Sequence, residues 1–284
     1  MYTEYRKEVN FSESPNVYLL SLKEKMNEVL NVIKNRTSLR NYDNRDISVE
    51  DLNTIIESAM RAPTAGNMMF YSIIVIKDKD KKLALSKTCD NQAFIAKAPV
   101  LLLFVADMQR QYDYYKVSGV KEYCKKKGLD YTAPSKGDFL LACSDALVAA
   151  QNAVIAGESL GIGSCYIGDI MENYEKHKKM LNLPPWAFPI CMLTFGYYKE
   201  DEKKIIKSRF DKKYIVFEEE YKNLNHEDFK EMYKEKEKYV VKGNKFNAEN
   251  FGQLIYGRKS GSDFMKEMNR SVEVALKFWD RHEL

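Results

Sequence analysis

A chain of 284 residues with 45% hydrophobic and 30% charged side chains can bury the core of one large domain or two small ones. Its net charge of +4 is weak and its charges are mixed in sign, which argues against a nucleic-acid binder's basic, aromatic-studded face or attraction to an anionic membrane. No apolar run reaches the roughly 18 residues of a membrane span. The opening MYTEYRKEVNFSESPN lacks a signal peptide's apolar stretch, and five dispersed cysteines without a CxxC fit reduced thiols in a cytoplasmic setting.

Residues 1–20 have little periodicity and read as an extended arm. Leu22, Met26, Val29, Leu30 and Ile33 recur at helical spacing, which predicts an amphipathic helix over 21–34. Ser48 with Asp51 has the spacing of a capping box before a second helix, whose Leu52, Ile55, Ile56 and Ala59 share a face and which ends near Pro63. YSIIVIK (71–77) and PVLLLFVAD (99–107) read as strands, the second covered on both faces, with a short helix KDKKLALSK between them. Residues 108–137 are expected to form a mobile helix–loop insertion.

The segment 138–163 is apolar nearly all round and predicts a buried helix ended by Gly161 and Gly163. A short strand SCYIG, a helix over 172–181 and a strand FPICMLTFGY (188–197) follow. Lys and Glu then dominate 199–242, the pattern of a solvated helix. The last 40 residues are helix-like, with Val272, Val274, Ala275, Phe278 and Trp279 offering an apolar surface. No repeat or low-complexity linker divides the chain, so it reads as a single domain over 1–284, built as an α/β or α+β core of strands separated by helices.

Several chemistries lack their residues. There is no GxSxG, and the three histidines have no triad context. None pairs at zinc-ligand spacing, so no metal is expected. GIGSCYIG fails as a dinucleotide fingerprint because Tyr166 stands where the third glycine belongs, and no Walker A motif exists. What remains is anion-binding and backbone-exposing sequence without an evident acid, base or nucleophile, as in proteins whose cofactor carries the chemistry.

Arg36, Ser38 and Arg40 supply forked cations and a hydroxyl suited to phosphate, or equally to a helix C-terminus. RAPTAGNMMFYS (61–72) places Asn67 in a helix-to-strand turn, and GESLGIGSCYIGD (157–169) offers glycines for close backbone approach; each also reads as ordinary connecting structure. Lys207 and Arg209 add two cations that by themselves read as a solvated patch.

Together these pieces resemble the FMN-dependent nitroreductase family. The family's Arg-x-Ser-x-Arg followed by an aromatic is matched by Arg36-Thr37-Ser38-Leu39-Arg40 and Tyr42. Its Ala-Pro-Ser-x-x-Asn loop is matched by Ala62 to Asn67, and its Glu-Ser-Leu-Gly-x-Gly by Glu158 to Gly163. The agreement in order and spacing covers about residues 22–210. Gln92, CYIGDI and KSR are similar to the larger, NADPH-preferring, oxygen-insensitive branch. Met69, Phe70 and Tyr71 depart from the family's Gln-Pro-Trp.

The resemblance implies an α+β, nitroreductase-like fold with a central mixed, mainly antiparallel β-sheet flanked by helices. Residues 211–284 would then be a helical C-terminal extension wrapping a partner subunit. It implies FMN as cofactor and no separate catalytic side chain. Arg36, Thr37, Ser38 and Arg40 would hold its phosphate, with Lys207 or Arg209 joining from the tail. Thr64, Asn67 and Gln92 would border the flavin, and Tyr166, Ile167, Gly168 and Asp169 would line the ring. It further implies a homodimer with FMN between subunits, and NAD(P)H reducing a nitroaromatic or quinone in two steps. Other flavin chemistry on the same fold, such as reductive dehalogenation or flavin reduction, and a non-catalytic flavin-binding role are the alternatives.

Overall fold

The computed structural model describes residues 27–201 and 203–280; the expected N-terminal arm and the first residues of the 21–34 helix lie outside them. Helices α1 (Glu28–Asn35) and α2 (Val49–Met60) precede strand β1 (Tyr71–Ile76). Helices α3 (Lys79–Thr88) and α4 (Ala93–Lys97) lead to β2 (Val100–Asp107). The insertion forms α5 (Gln109–Val117) and α6 (Val120–Lys127), followed by the long α7 (Lys136–Ser159), β3 (Ile162–Ile167), α8 (Tyr174–Leu181) and β4 (Ala187–Tyr197). The tail carries α9 (His226–Glu237), α10 (Phe251–Arg258) and α11 (Asp263–Leu276).

The strands pair in the order β1-β2-β4-β3, every neighbouring pair antiparallel. The expected mixed character is limited, among the described residues, to one parallel bridge, Ser38 to Ser164, that adds the 36–40 segment beside β3. β2 is central, and Val100–Ala106 is buried, as its unbroken apolar run requires. One sheet face packs on α2 and α7 through Ile55, Ala59, Phe104, Ala149 and Phe195. The other packs on α3, α4 and the turn after β3 through Leu85, Ile95, Leu103, Ile167 and Ile170.

Helix α7 lies close to the sheet because its inner face is small: Ala142, Ala146, Ala149, Ala150, Ala153 and Gly157 are all buried. A Cβ on Gly157 would stand 2.9 Å from the Phe195 ring. Ser135 and Asp138 form a capping box at its start. The helix is not buried all round, since Leu140, Leu141, Leu147 and Val148 are exposed. It is long and apolar enough to cross a membrane by composition, but half of that apolar window is buried inside the fold.

Three other expectations are corrected. Gly163 belongs to β3, not to the helix end, and Gly161 alone makes the turn with φ 73°. Ser48 caps α2 by accepting from the Asp51 N–H, but the Asp51 carboxylate accepts from Tyr197 Oη at 2.9 Å instead of closing a box. The charged stretch 199–242 is helical only from His226 to Glu237, where Asn225 and Asp228 supply a capping box; the rest of it is mostly irregular. The 108–137 insertion has the expected helix–loop form, and its Tyr112 is buried edge-on against Trp186 at 4.4 Å between ring centroids.

The apolar surface of 272–279 is largely covered by its own chain. Trp279 is fully buried against Phe139, 5.1 Å between centroids, and Trp186 Nε1 donates to the Phe278 carbonyl at 2.6 Å. Burying one such ring contributes about 3 kcal/mol, enough to fasten the end of the extension to the core.

Candidate functional site

Helix α1 stops at Arg36, whose backbone is extended at φ −66° and ψ 141°. From there the chain runs beside β3: the Leu39 N–H donates to the Ser164 carbonyl at 2.9 Å. In an extended segment alternate residues share a face. The i, i+2, i+4 spacing of Arg36, Ser38 and Arg40 therefore sets them on one face, while Leu39 is buried in the core.

Glycine at 163 makes this seat possible. A Cβ there would meet Leu39 at 2.7 and 2.8 Å and the Tyr198 ring at 2.8 Å. Tyr42, the aromatic after the motif, anchors the segment's far end; its hydroxyl donates to Thr194 Oγ1 at 2.7 Å, and burial pushes its phenol far above the usual range.

Arg36, Thr37, Ser38 and Arg40 line a cleft of about 630 Å³ whose opposite wall is residues 203–209. Lys34, Lys203, Lys204, Lys207 and Arg209 also line it, and among the described residues none that lines it is acidic. Arg36 Nε is buried without a hydrogen-bond partner. A buried orphan donor beside so much positive charge is unfavourable unless an anion supplies the acceptor.

The 203–209 strap has no helix or strand. The Glu158 carboxylate, buried at the end of α7, forms an ion pair with Lys204 and accepts from Tyr198 Oη at 2.9 Å. Thr37 Oγ1 donates to the Ile205 carbonyl at 3.3 Å.

The residues expected around a ring divide into two groups. Gln92 Nε2 donates to Asp169 Oδ2 at 3.0 Å, so these two meet, in the turn that also contains Gly168. Arg40 stacks over Phe94 at 5.7 Å, which links the cationic cleft to that neighbourhood. Ile167 is buried, whereas Tyr166 is exposed at its edge; partial burial raises the Tyr166 phenol and nearby Arg36 opposes the shift.

Thr64 and Asn67 do not line the cleft. They lie in the loop before β1, the opposite edge strand of the sheet from β3. That loop is wound through left-handed backbone at Gly66 (φ 56°), Asn67 (φ 58°) and Met69 (φ 53°). Asp145, buried on α7, accepts from the N–H groups of Ala65 (2.9 Å) and Phe70 (3.1 Å). Arg110 donates to the Met69 carbonyl from the other side at 2.5 Å.

Sequence reading missed Asp145, Glu158, Lys204 and Tyr198 as parts of the site. For Asp145 a signal existed: a carboxylate inside the apolar run FLLACSDALVAA must find partners if that face is buried. The pairing of Glu158 with Lys204 spans 46 residues of chain and has no local signature.

Fold and site together define an α+β protein with a cationic cleft against an edge strand. Residues 33–197 match the nitroreductase family model, and the chain belongs to that family. It is 31% identical to the FMN reductase (NADPH) of Bacillus subtilis over 72% of this chain and 78% of that protein. It is 27% identical to an NADPH-dependent oxidoreductase of Staphylococcus epidermidis over 86% and 96% of the two chains. The solved structure of B. megaterium NfrA2 superposes with a TM-score of 0.72 at 27% identity, covering 91% of this chain and all of the other. The fold class and family expected from the sequence both hold.

Proposed function

We propose that this protein is an NAD(P)H-dependent FMN oxidoreductase that reduces nitroaromatics, quinones or related acceptors. The observation that carries the reading is the cleft in which the Arg36-Ser38-Arg40 face meets the strap bearing Lys207 and Arg209, with Arg36 Nε buried and lacking an acceptor. Forked guanidinium groups, a hydroxyl and lysines are the donor set a phosphate dianion needs. FMN fits this chain on that ground, and its relatives bear the names FMN reductase and NADPH-dependent oxidoreductase.

When bound, FMN would supply the two-electron chemistry between NAD(P)H and the acceptor. The chain's task is to bind, orient and polarise. Arg36, Thr37, Ser38 and Arg40 would hold the phosphate, with Lys207 and Arg209 joining from the facing strap. Gln92 orients Asp169, and the backbone of Tyr166 to Asp169 would border the ring, where N–H donors would favour an electron-rich, reduced flavin.

Thr64 and Asn67 complete the site from a second copy. This accounts for their place at the far sheet edge and gives a cover to the exposed Val29, Leu30 and Ile33 of α1 and Leu140, Leu147 and Val148 of α7. The tail before α11 reaches around that partner. Substituting Leu147→Glu should then yield a monomer that loses flavin; a flavin-loaded monomer by sedimentation would end the dimer reading.

A second reading takes free flavin as the acceptor, favoured by the FMN reductase names of two relatives. Chromate belongs in the same comparison, since a relative from Pseudomonas is named a Cr(VI) reductase. The test is an absorbance spectrum from 300 to 550 nm before and after anaerobic NADPH, then turnover with a nitroaromatic, a quinone, free FMN and chromate. Flavin bands that bleach and are restored by one acceptor class identify the reaction. A spectrum that stays flat after FMN is added refutes it.

A further inference from the structure

The structure assigns to Glu158 the role of a positioning residue that holds the 203–209 strap in place, so that Lys207 and Arg209 meet the anionic ligand of the cleft. The inference rests on the cofactor reading above. Glu158 sits in the last turn of α7, and its side chain is 5% exposed. Its two carboxylate oxygens are divided between Tyr198 Oη and the Lys204 ammonium, which also lies 4.2 Å from the Tyr198 ring centroid. A carboxylate that buried is stable only when paired and hydrogen-bonded.

Among the described residues, the strap has little else to hold it. Residues 203–209 are exposed and irregular, with Ile205 and Ile206 turned largely to solvent. Among the described residues, its ties to distant parts of the chain are at its N-terminal end: Lys204 to Glu158, and the Ile205 carbonyl to Thr37 Oγ1. Lys207 and Arg209 follow within five residues of the first tie. Ordering such a segment in advance removes part of the entropy that binding would otherwise have to supply.

Glu158 also leads through the Gly161 turn into β3, whose Ser164 bridges Ser38. Strap and phosphate seat are thus fastened to the same helix–strand corner. Consuming Lys204 in this pair leaves the other cations for the ligand.

The test uses the full chain: wild type, Glu158→Gln, Lys204→Met and the double variant. FMN is titrated at several salt concentrations, and hydrogen exchange over 203–209 is followed without flavin. Each single change should weaken FMN about tenfold, and the double no more than either alone. Exchange in the strap should accelerate. Log Kd should depend less steeply on salt, because fewer cations engage the phosphate. Lys204 is the more exposed partner, so Lys204→Met keeps the test open if Glu158→Gln fails to fold.

A variant that only loses melting temperature, with wild-type strap exchange and salt slope, overturns the proposal. So do additive effects in the double variant. Wild-type protein that takes up no FMN refutes the cofactor reading and with it the ligand-directed role, whereas unchanged strap exchange refutes the Glu158 tie whatever the flavin result.

Discussion

Asp145 reaches from the middle of α7 to accept a hydrogen bond from the Ala65 backbone N–H at 2.9 Å. Its other oxygen accepts from Phe70, so one buried carboxylate pins both ends of a loop with three left-handed residues. Removing it would strand two N–H groups and release strained backbone. Asp145→Ala should destabilise the fold by about 2–4 kcal/mol, and Asp145→Asn by less, because the amide keeps one acceptor. Chemical denaturation reads this directly; stability within about 0.5 kcal/mol of wild type would show that the loop holds itself.

Gly163→Ala tests the seat of the phosphate motif. The added methyl would press on Leu39 and Tyr198 closer than carbon atoms approach. Overpacking of this kind costs about 1–3 kcal/mol. The 36–40 segment must move to relieve it, so flavin affinity should fall together with melting temperature. A variant that melts lower but binds flavin normally would separate the seat from the site.

Arg40→Ala should release flavin without unfolding the chain. Arg40 is exposed, and its stacking on Phe94 at 5.7 Å is an interaction worth roughly 0.5–1 kcal/mol. A charge-assisted contact to phosphate is stronger, so affinity should drop about tenfold or more. Flavin occupancy measured by absorbance after dialysis checks it, and full occupancy would mean that Arg40 serves the fold alone.

Glu172 gives the protein a pH dependence. Burial, then the charges of Asp169, Asp90 and Glu267, opposed by Lys259, raise its carboxyl to about 7. A carboxyl raised in the folded state binds more protons there than in the unfolded chain. Its stabilising effect is therefore complete below the ordinary value near 4.5 and lost as pH rises through about 7. Glu172→Gln should gain stability relative to wild type between pH 5 and pH 8, on the order of 1 kcal/mol after allowance for solvent screening. Thermal melts of both proteins across that range would show parallel curves if the carboxyl does not titrate there.

Much of the fold was legible in local pattern. β2 reads as a buried strand because seven consecutive apolar residues, Val100 to Ala106, leave no polar face, and α2 reads as a helix because Leu52, Ile55 and Ala59 return every three to four positions. The alternation Arg36, Ser38, Arg40 likewise carries its geometry in its spacing, once the segment is extended. The charged stretch 199–242 misled because Lys and Glu favour a helix wherever nothing competes. Over 203–209 a strap is held instead by a buried carboxylate and a threonine hydroxyl from elsewhere in the chain.

Sequence alone therefore determined most of the elements, the family and the shared face of Arg36, Ser38 and Arg40, because periodicity and motif spacing are local properties. Only the tertiary structure decided that Gly163 serves Leu39, that Asp145 governs the 64–70 loop, that Glu158 holds Lys204, and that Thr64 and Asn67 lie before the far edge strand. Each of these is a contact between segments distant along the chain, chosen by packing and by the need of a buried charge or donor to find its partner, and no local pattern records that choice.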